Sequence, residues 1–147
     1  MKELSIEDKE LLLKDLCSRL PYYPKCEMID ELRVVNNEKD SSYISTLFPK
    51  HIELFSYHNN FTIKPFLRPM SSMTKEEEKE YNSFIIGQQP FDSDFSAYPI
   101  EHKLLYEFDV NSYIDWFNTH QFDYRGLIPK GIANEMNYTT WISWFKK

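Results

Sequence analysis

KCEMIDELRVVNNEKDSSYISTLF, residues 25–48, is the stretch that decides the class of fold. Its apolar side chains share one parity, at Cys26, Met28, Leu32 and Val34. That period of two is typical of a strand with one buried face, and Asp30 interrupts it, so we expect one strand or two short strands bent near residues 30–31. Residues 36–40 predict a turn and residues 42–48 a second strand. Strands joined this closely favour antiparallel pairing.

The segments on either side of this stretch carry helical signals. Sequences that resemble capping boxes stand at Ser5-x-x-Asp8 and at Thr74-x-x-Glu77. They predict helices over residues 6–19 and 75–86, because each cap is followed by apolar residues at helical spacing. Residues 110–120 carry the same apolar period and predict a third helix.

Other segments carry weaker patterns. Residues 51–57 predict a third strand. Residues 63–70 predict an edge strand or an extended connector, since Pro65 cannot donate to a central ladder. Residues 87–100 predict a long loop, and residues 127–136 predict a fourth helix.

Together these elements predict an α+β fold in a single domain, residues 1–147. We expect an N-terminal helix, then a small antiparallel sheet of about three to four strands, then a mostly helical second half. A chain of 147 residues is long enough to bury one sizeable core but not two.

Composition narrows the class of protein. Aromatic residues make up 16% of the chain and only 3 residues are glycine, which disfavours both disorder and a glycine-rich phosphate loop. The net charge of −6 falls mostly in the second half of the chain and argues against nucleic-acid binding.

The sequence also indicates the cellular compartment in which the protein is expected. No apolar run approaches the ~20 residues of a membrane span, and the first residues mix acids with leucines, unlike a secretion signal. Cys17 and Cys26 have no Cys-x-x-Cys spacing and suit reduced thiols. We therefore expect a cytoplasmic protein that does not bind a membrane.

The residues that could carry chemistry form no recognised catalytic pattern. The 4 histidines lack the spacing of metal ligands. Two acid pairs, Asp115 with Asp123 and Glu107 with Asp109, are more often caps or solvated faces than acid–base pairs. Cys26 would need a base beside it to act as a nucleophile, and nothing in the sequence places one there. We predict no catalytic residue, no metal site and no cofactor.

Two stretches mix aromatic and basic side chains, residues 64–70 and 116–126. One interpretation places the rings in the core and lets the arginines cap or bridge acids. The other is a recognition patch, because Tyr, Trp, Met and Arg are enriched where proteins meet. On that second interpretation the candidate binding residues are Lys64, Arg68, Trp116, His120, Tyr124 and Arg125.

The chain resembles a family of small uncharacterised proteins that is common in gut anaerobic bacteria, their prophages and mobile elements. The resemblance rests on the words LLLKDLCSRLPYYPKC, IKPFLRPMSSMTKEEEKEY and DWFNTHQFDYRGLIPKGIA, and it spans most of the chain in the same order. It implies a phage or mobile-element origin. It implies no activity, and it carries over no catalytic residue.

These observations favour a non-enzymatic cytoplasmic protein-interaction module of phage or mobile-element type. Its expected partner is another protein, from the host or the phage, or a second copy of the chain. Two alternatives stay open, a nucleic-acid-linked accessory or regulatory factor and a small hydrolase. A continuous basic or acidic surface stripe would favour the first, and a cleft with a perturbed acid or histidine would favour the second.

Overall fold

The computed structural model describes residues 4–88 and 110–145, and it has the expected α+β architecture. Within these residues the helices are α1 (Ile6–Arg19), α2 (Pro49–Tyr57), α3 (Lys75–Gln88), α4 (Val110–Thr119) and α5 (Tyr138–Phe145). The strands are β1 (Lys25–Asp30), β2 (Val34–Val35), β3 (Glu38–Lys39), β4 (Ser42–Thr46), β5 (Phe61–Leu67) and β6 (Asn134–Glu135). Most of the predicted loop over residues 87–100, together with Glu107 and Asp109, lies outside the described part of the chain.

The two helices predicted from capping sequences are confirmed. The Ser5 hydroxyl accepts the N–H of Asp8 at 3.1 Å and begins α1. At the start of α3 the Thr74 hydroxyl accepts the Glu77 N–H at 3.2 Å, and the Glu77 carboxylate accepts the Thr74 N–H at 3.0 Å. Each of these bonds satisfies an N–H that the first turn of a helix would otherwise leave without a partner.

The stretch that decides the fold forms one long, bent β-hairpin. Strands β1 and β4 pair antiparallel, and the shorter β2 and β3 pair beyond them. The bend lies where the Asp30 carboxylate accepts the N–H of Leu32 at 3.0 Å. Asn36 and Asn37 close the hairpin with φ values of 53° and 65°, the left-handed conformation that a two-residue turn of this hand requires.

The larger sheet has the strand order β4-β1-β5-β6. β1 is antiparallel to both β4 and β5, so that Met28 stands opposite Tyr43 on one side and Ile63 on the other. β6 runs parallel to the end of β5. The sheet is therefore antiparallel over β4, β1 and β5, as expected, with a short parallel strand added at the end of β5.

β5 bears out the edge-strand alternative for residues 63–70 in part, because it pairs with β1 on one side and, on the other side, with β6 only at Phe66 and Leu67. The Leu67 carbonyl accepts the N–H of Met136, on the side away from β1. Since backbone groups alternate along a strand, Pro65 also turns its nitrogen away from β1. Its missing N–H therefore costs the β1–β5 ladder no hydrogen bond.

The third strand predicted over residues 51–57 is wrong, since these residues form α2. His51 and Phe55 are both buried and stand four positions apart, which is a helical spacing. The Phe48 N–H donates to the His51 ring at 3.0 Å, and Pro49 occupies the first turn, where its missing N–H costs nothing. Burial and the charge of Lys50 lower the pKa of His51, which favours the neutral ring that accepts this bond.

The fourth helix predicted over residues 127–136 is also wrong. The Asp123 carboxylate accepts the N–H groups of Leu127 and Ile128 at 2.8 and 2.9 Å and holds a turn. Gly131 then adopts a φ of 75°, which a continuing helix does not allow. The chain leaves the turn as β6 and pairs with β5 instead.

One face of the sheet carries the core. The buried apolar residues of this cluster come from α1, α2, β1, β5 and the turns that follow β4 and α4: Leu12, Leu16, Cys26, Met28, Leu47, Phe55, Phe61, Ile63, Leu67, Leu127, Ile132 and Ala133. Burial of a single large apolar side chain contributes roughly 1.5–3 kcal/mol. The two open edges of this sheet are β4 on one side and residues 61–65 of β5 on the other.

Candidate functional site

Arg68 lies in the interior, directly after β5, with none of its surface exposed. Its guanidinium binds both carboxylate oxygens of Glu77, at 2.7 and 2.8 Å, and donates to the Ser72 carbonyl at 3.2 Å. Burial alone would raise the pKa of Glu77, but hydrogen bonds from Arg68 and Thr74 and the arginine charge outweigh it and lower that pKa. Arg68 therefore joins β5 to the start of α3.

Trp116 and His120 belong to an aromatic stack around this ion pair. They are 9% and 7% exposed, and their ring centroids lie 4.1 Å apart. Phe122 stacks on Trp116 at 5.8 Å, and its ring also lies under the Arg68 guanidinium at 4.2 Å. A cation over the face of a ring is attracted by the ring's quadrupole, so these rings also stabilise the buried charge.

Tyr124 and Arg125 take part in a second interior network, on the side of α1. Arg125 Nη1 donates to Asp15 Oδ1 at 2.9 Å and to the Tyr124 hydroxyl at 2.8 Å. Asp15 is fully buried and also accepts from Arg19 at 2.8 Å, while Tyr124 donates to Asn118 at 3.0 Å. The bond between Arg125 and Asp15 ties the turn after α4 to α1. The bonds to Tyr124 and from Arg19 hold these two side chains in position.

The exposed patch predicted from six residues is thereby corrected. Arg68, Trp116 and His120 are sealed inside, so none of them can touch a second macromolecule in this conformation. Tyr124 and Arg125 are half-buried and turned toward Asp15. This is the arrangement of the other interpretation, in which the rings are core and the arginines bridge acids. Lys64 stands apart from the rest, half-buried on β5.

Two of the acids considered for acid–base chemistry, Asp115 and Asp123, accept hydrogen bonds from other groups of the chain. Asp123 caps the turn at residues 127–128. Asp115, on α4, accepts a hydrogen bond from the Tyr22 hydroxyl. Burial of that hydroxyl, together with the bond and the charge of Asp115, raises the pKa of Tyr22 to about 12. Each of these carboxylates therefore acts as a structural acceptor.

Cys26 is not placed to act as a nucleophile. Its side chain is fully buried in the core, and burial, with the nearby charge of Asp15, raises the pKa of its thiol far above neutrality. A thiol must be deprotonated to react, so Cys26 is inert in the folded chain. Cys17 is exposed on α1.

The open edge of strand β4 is the feature that the sequence pattern did not indicate, although the strand itself was predicted. Within the described residues it is the outermost strand of its sheet, so one of its sides faces away from any other strand. The Asp30 N–H donates to the Ser41 carbonyl at 2.7 Å, which fixes the alternation between β1 and β4. Tyr43 and Ser45 thus point their backbone groups toward β1, and the neighbouring residues point theirs outward. The outward set is Ser42, Ile44 and Thr46.

The side chains around this edge are apolar and exposed. Ile44 is 58% exposed, and Leu32 and Val34 of the adjoining hairpin are 74% and 62% exposed. Natural edge strands are commonly protected by lysine, proline or a bulge. β4 has the sequence Ser-Tyr-Ile-Ser-Thr, which contains no charged residue and no proline. Because these protecting residues are absent, the sequence of β4 contains no signal that marks it as an edge strand.

Among residues 4–88 and 110–145 no group of three or more His, Cys, Asp or Glu side chains is placed to hold a metal ion. Within the same residues no helix is long and apolar enough to cross a membrane.

Comparison of the chain with protein-family models, with curated proteins and with solved structures found no match.

Proposed function

We propose that the chain is a non-enzymatic protein-interaction module that binds by strand addition along β4. In strand addition, an extended segment pairs with an unpaired strand edge, and its main-chain hydrogen bonds supply the affinity. The observation that carries the proposal is the outward-facing backbone of Ser42, Ile44 and Thr46 on a neutral strand with exposed Ile44. The resemblance to proteins of phages and mobile elements, and the expected cytoplasmic location, belong to this proposal.

The occupant that this edge fits best is β4 of a second copy. If two β4 strands meet antiparallel about Ile44, the two isoleucines stand opposite each other and Ser42 faces Thr46 of the partner. No like charges then meet, because the strand is neutral. A two-fold interface needs a self-complementary surface, and this strand is one.

The burial of the arginines also supports β4 as the binding surface. Arg68 and Arg125 are bound to Glu77 and Asp15 inside the chain, so the basic and aromatic stretches serve folding. Exposed apolar side chains that adjoin an open strand edge lie instead at the end of the sheet that carries β4, at Leu32, Val34 and Ile44. Exposed apolar surface beside an open strand edge is a common feature of protein-binding sites.

The test is the mass of the protein in solution, measured by light scattering up to millimolar concentration. We expect the wild type to form a dimer and Ile44→Lys to remain a monomer, since two lysines would then face each other across the two-fold axis. Tyr57→Lys is the matched control, because Tyr57 is 79% exposed but lies on α2, and it should dimerise like the wild type.

A mixing experiment distinguishes pairing at Ile44 from a general loss of solubility or fold. Ile44→Glu and Ile44→Lys should each be monomeric alone and should form a mixed dimer together, because opposite charges then face each other. A wild type that stays monomeric at millimolar concentration, or a dimer that persists in Ile44→Lys, would overturn the second-copy assignment.

A further inference from the structure

His120 lies directly after α4, between the rings of two tryptophans. The centroid of its ring is 4.1 Å from that of Trp116 and 5.5 Å from that of Trp141, and both pairs of rings are stacked. The His120 side chain keeps only 9% of its surface exposed. Both faces of the imidazole are therefore covered, and its two nitrogens reach only groups that lie at the edge of the ring.

The two ring nitrogens of His120 both face acceptors. Nδ1 lies 2.9 Å from the backbone carbonyl of Trp116. A carbonyl only accepts, so Nδ1 carries the hydrogen of the neutral ring and Nε2 carries a lone pair. Nε2 lies 3.8 Å from Oε1 of Glu80, on α3, and a carboxylate also only accepts. In the neutral ring this contact therefore lacks a hydrogen to bridge it.

Glu80 is held beside the ring by a hydrogen bond of its own. The indole N–H of Trp116 donates to the same oxygen, Oε1, at 3.1 Å. The Glu80 side chain is otherwise open to solvent, with 59% of its surface exposed. Protonation of His120 at Nε2 converts the contact between two acceptors into a charge-assisted hydrogen bond. That bond needs only a small movement of an exposed side chain.

The surroundings of the ring also favour a positive charge on it. The faces of Trp116 and Trp141 attract a cation through the quadrupoles of their rings. His120 stands at the C-terminal end of α4, where its backbone N–H donates to the Trp116 carbonyl at 3.2 Å. The dipole of a helix is favourable to a cation at this end.

The elements around the ring carry other titratable groups, which within the described residues are Asp115 on α4, Tyr138 on α5, and Arg68 with Glu77. Asp115 accepts the hydroxyl of Tyr22. Arg68 lies 4.7 Å from the Trp141 ring, and its charge is balanced by Glu77. Burial of a charge costs free energy unless it is paired, and Glu80 is the charge that supplies this pair.

We propose that His120 is a pH-dependent link between α3 and α4, which forms when Nε2 takes up a proton and binds Glu80. An ordinary histidine takes up its proton near pH ~6.5, so the link responds to the change from neutral to mildly acidic conditions. The ion pair contributes to stability only while the ring is protonated. Its contribution is therefore present in mild acid and is lost as the pH rises. This proposal is separate from strand addition at β4.

The test is a titration of the full chain from about pH 5 to about pH 8, followed by the nuclear magnetic resonance signals of the His120 ring and the Trp116 indole N–H. We expect both signals to change with one midpoint, because both groups share Oε1 of Glu80. Glu80→Gln keeps an oxygen for the indole N–H and removes the charge. The midpoint of His120 should then lie about half a pH unit lower, which is about a threefold weaker affinity for the proton.

Glu78→Gln is the matched control. Glu78 is exposed on the same helix, and residues two positions apart on a helix lie on different faces. The control makes the same change in net charge as Glu80→Gln, and it should leave the midpoint of His120 close to that of the wild type. Both positions are exposed, so both variants should fold.

Urea denaturation gives a second measurement, which a purely structural role of Glu80 does not predict. Glu80→Gln should be less stable than the wild type at about pH 5.5 and no less stable at about pH 8, since the glutamine amide can donate to the neutral Nε2. The proposal is overturned if Glu80→Gln and Glu78→Gln have the same His120 midpoint. It is also overturned if the stability difference between Glu80→Gln and the wild type is the same at both pH values.

Discussion

Arg68→Met should destabilise the chain by about 3–5 kcal/mol, the usual cost of removing one partner of a buried ion pair. Arg68 has no exposed surface and binds both oxygens of Glu77, so the substitution leaves a buried carboxylate without its countercharge. The interaction with the Phe122 ring, 4.2 Å from the guanidinium, is lost as well. Urea denaturation at neutral pH, followed by circular dichroism, measures the change in the free energy of unfolding.

A double-mutant cycle separates the ion pair from the other contacts of Arg68. Glu77→Gln keeps the size of the side chain and removes its charge, so Arg68→Met with Glu77→Gln should cost less than the sum of the two single changes, by about 1–3 kcal/mol. Arg33→Met is the control, because the Arg33–Asp40 pair has side-chain exposures of 31% and 51% and should contribute less than about 1 kcal/mol.

The pH dependence of this prediction has a definite sign. The pKa of Glu77 is lower in the folded chain than in the unfolded chain, so its ion pair stabilises the fold fully above the ordinary glutamate value of about 4.3. That stabilisation is lost as the pH falls through the lowered pKa. The stability difference between the wild type and Arg68→Met should therefore shrink in acid. Additive single changes, or a loss at neutral pH no larger than that of Arg33→Met, would refute the reasoning.

Three further outcomes follow from particular side chains. A thiol reagent at neutral pH should modify Cys17 quickly and Cys26 only when the chain unfolds, as mass spectrometry of the peptides would measure; equal rates would contradict the burial of Cys26. Thr74→Ala should lower stability by about 1 kcal/mol through loss of the α3 cap, whereas Thr74→Ser should not, and equal losses in urea titrations would exclude the cap as the cause. Asn37→Gly should raise stability by a few tenths of a kcal/mol, since its φ of 65° favours glycine; a lower urea midpoint would show that the Asn37 side chain matters more than its backbone.

Local signals in the sequence were sufficient for the caps and the hairpin. Ser5 and Thr74 act within one turn of their helices, and Asn36-Asn37 turns the chain within two residues. These elements depend on neighbours close in the chain, so the sequence alone predicts them well.

Where the apolar residues of a segment fit both a helix and a strand or turn, the sequence alone did not predict the secondary structure. Residues 51–57 are too few to distinguish a strand from a short buried helix, and the packing of Phe55 in the core decides for the helix. The conformation of residues 127–136 depends on the Asp123 carboxylate and on the pairing of β6 with β5. Only the tertiary structure provides that pairing.

The candidate binding residues illustrate a limit of composition. A mixture of rings and arginine is typical of interfaces, but it is equally suited to a buried ion pair under aromatic rings. Glu77, in the capping box nine residues after Arg68, was the signal that an acid stands nearby. The sequence could not show that the guanidinium reaches that acid.

The amide hydrogen exchange of Ile44, compared with that of Tyr43, tests the role of β4 most directly. In the monomer at low concentration we expect the Ile44 N–H to exchange rapidly, because it points outward, and the Tyr43 N–H to be protected by its bond to β1. As the concentration rises, Ile44 should become protected while Tyr43 stays unchanged. Rapid exchange of Ile44 at every concentration, or protection of Ile44 in the monomer, would contradict the account.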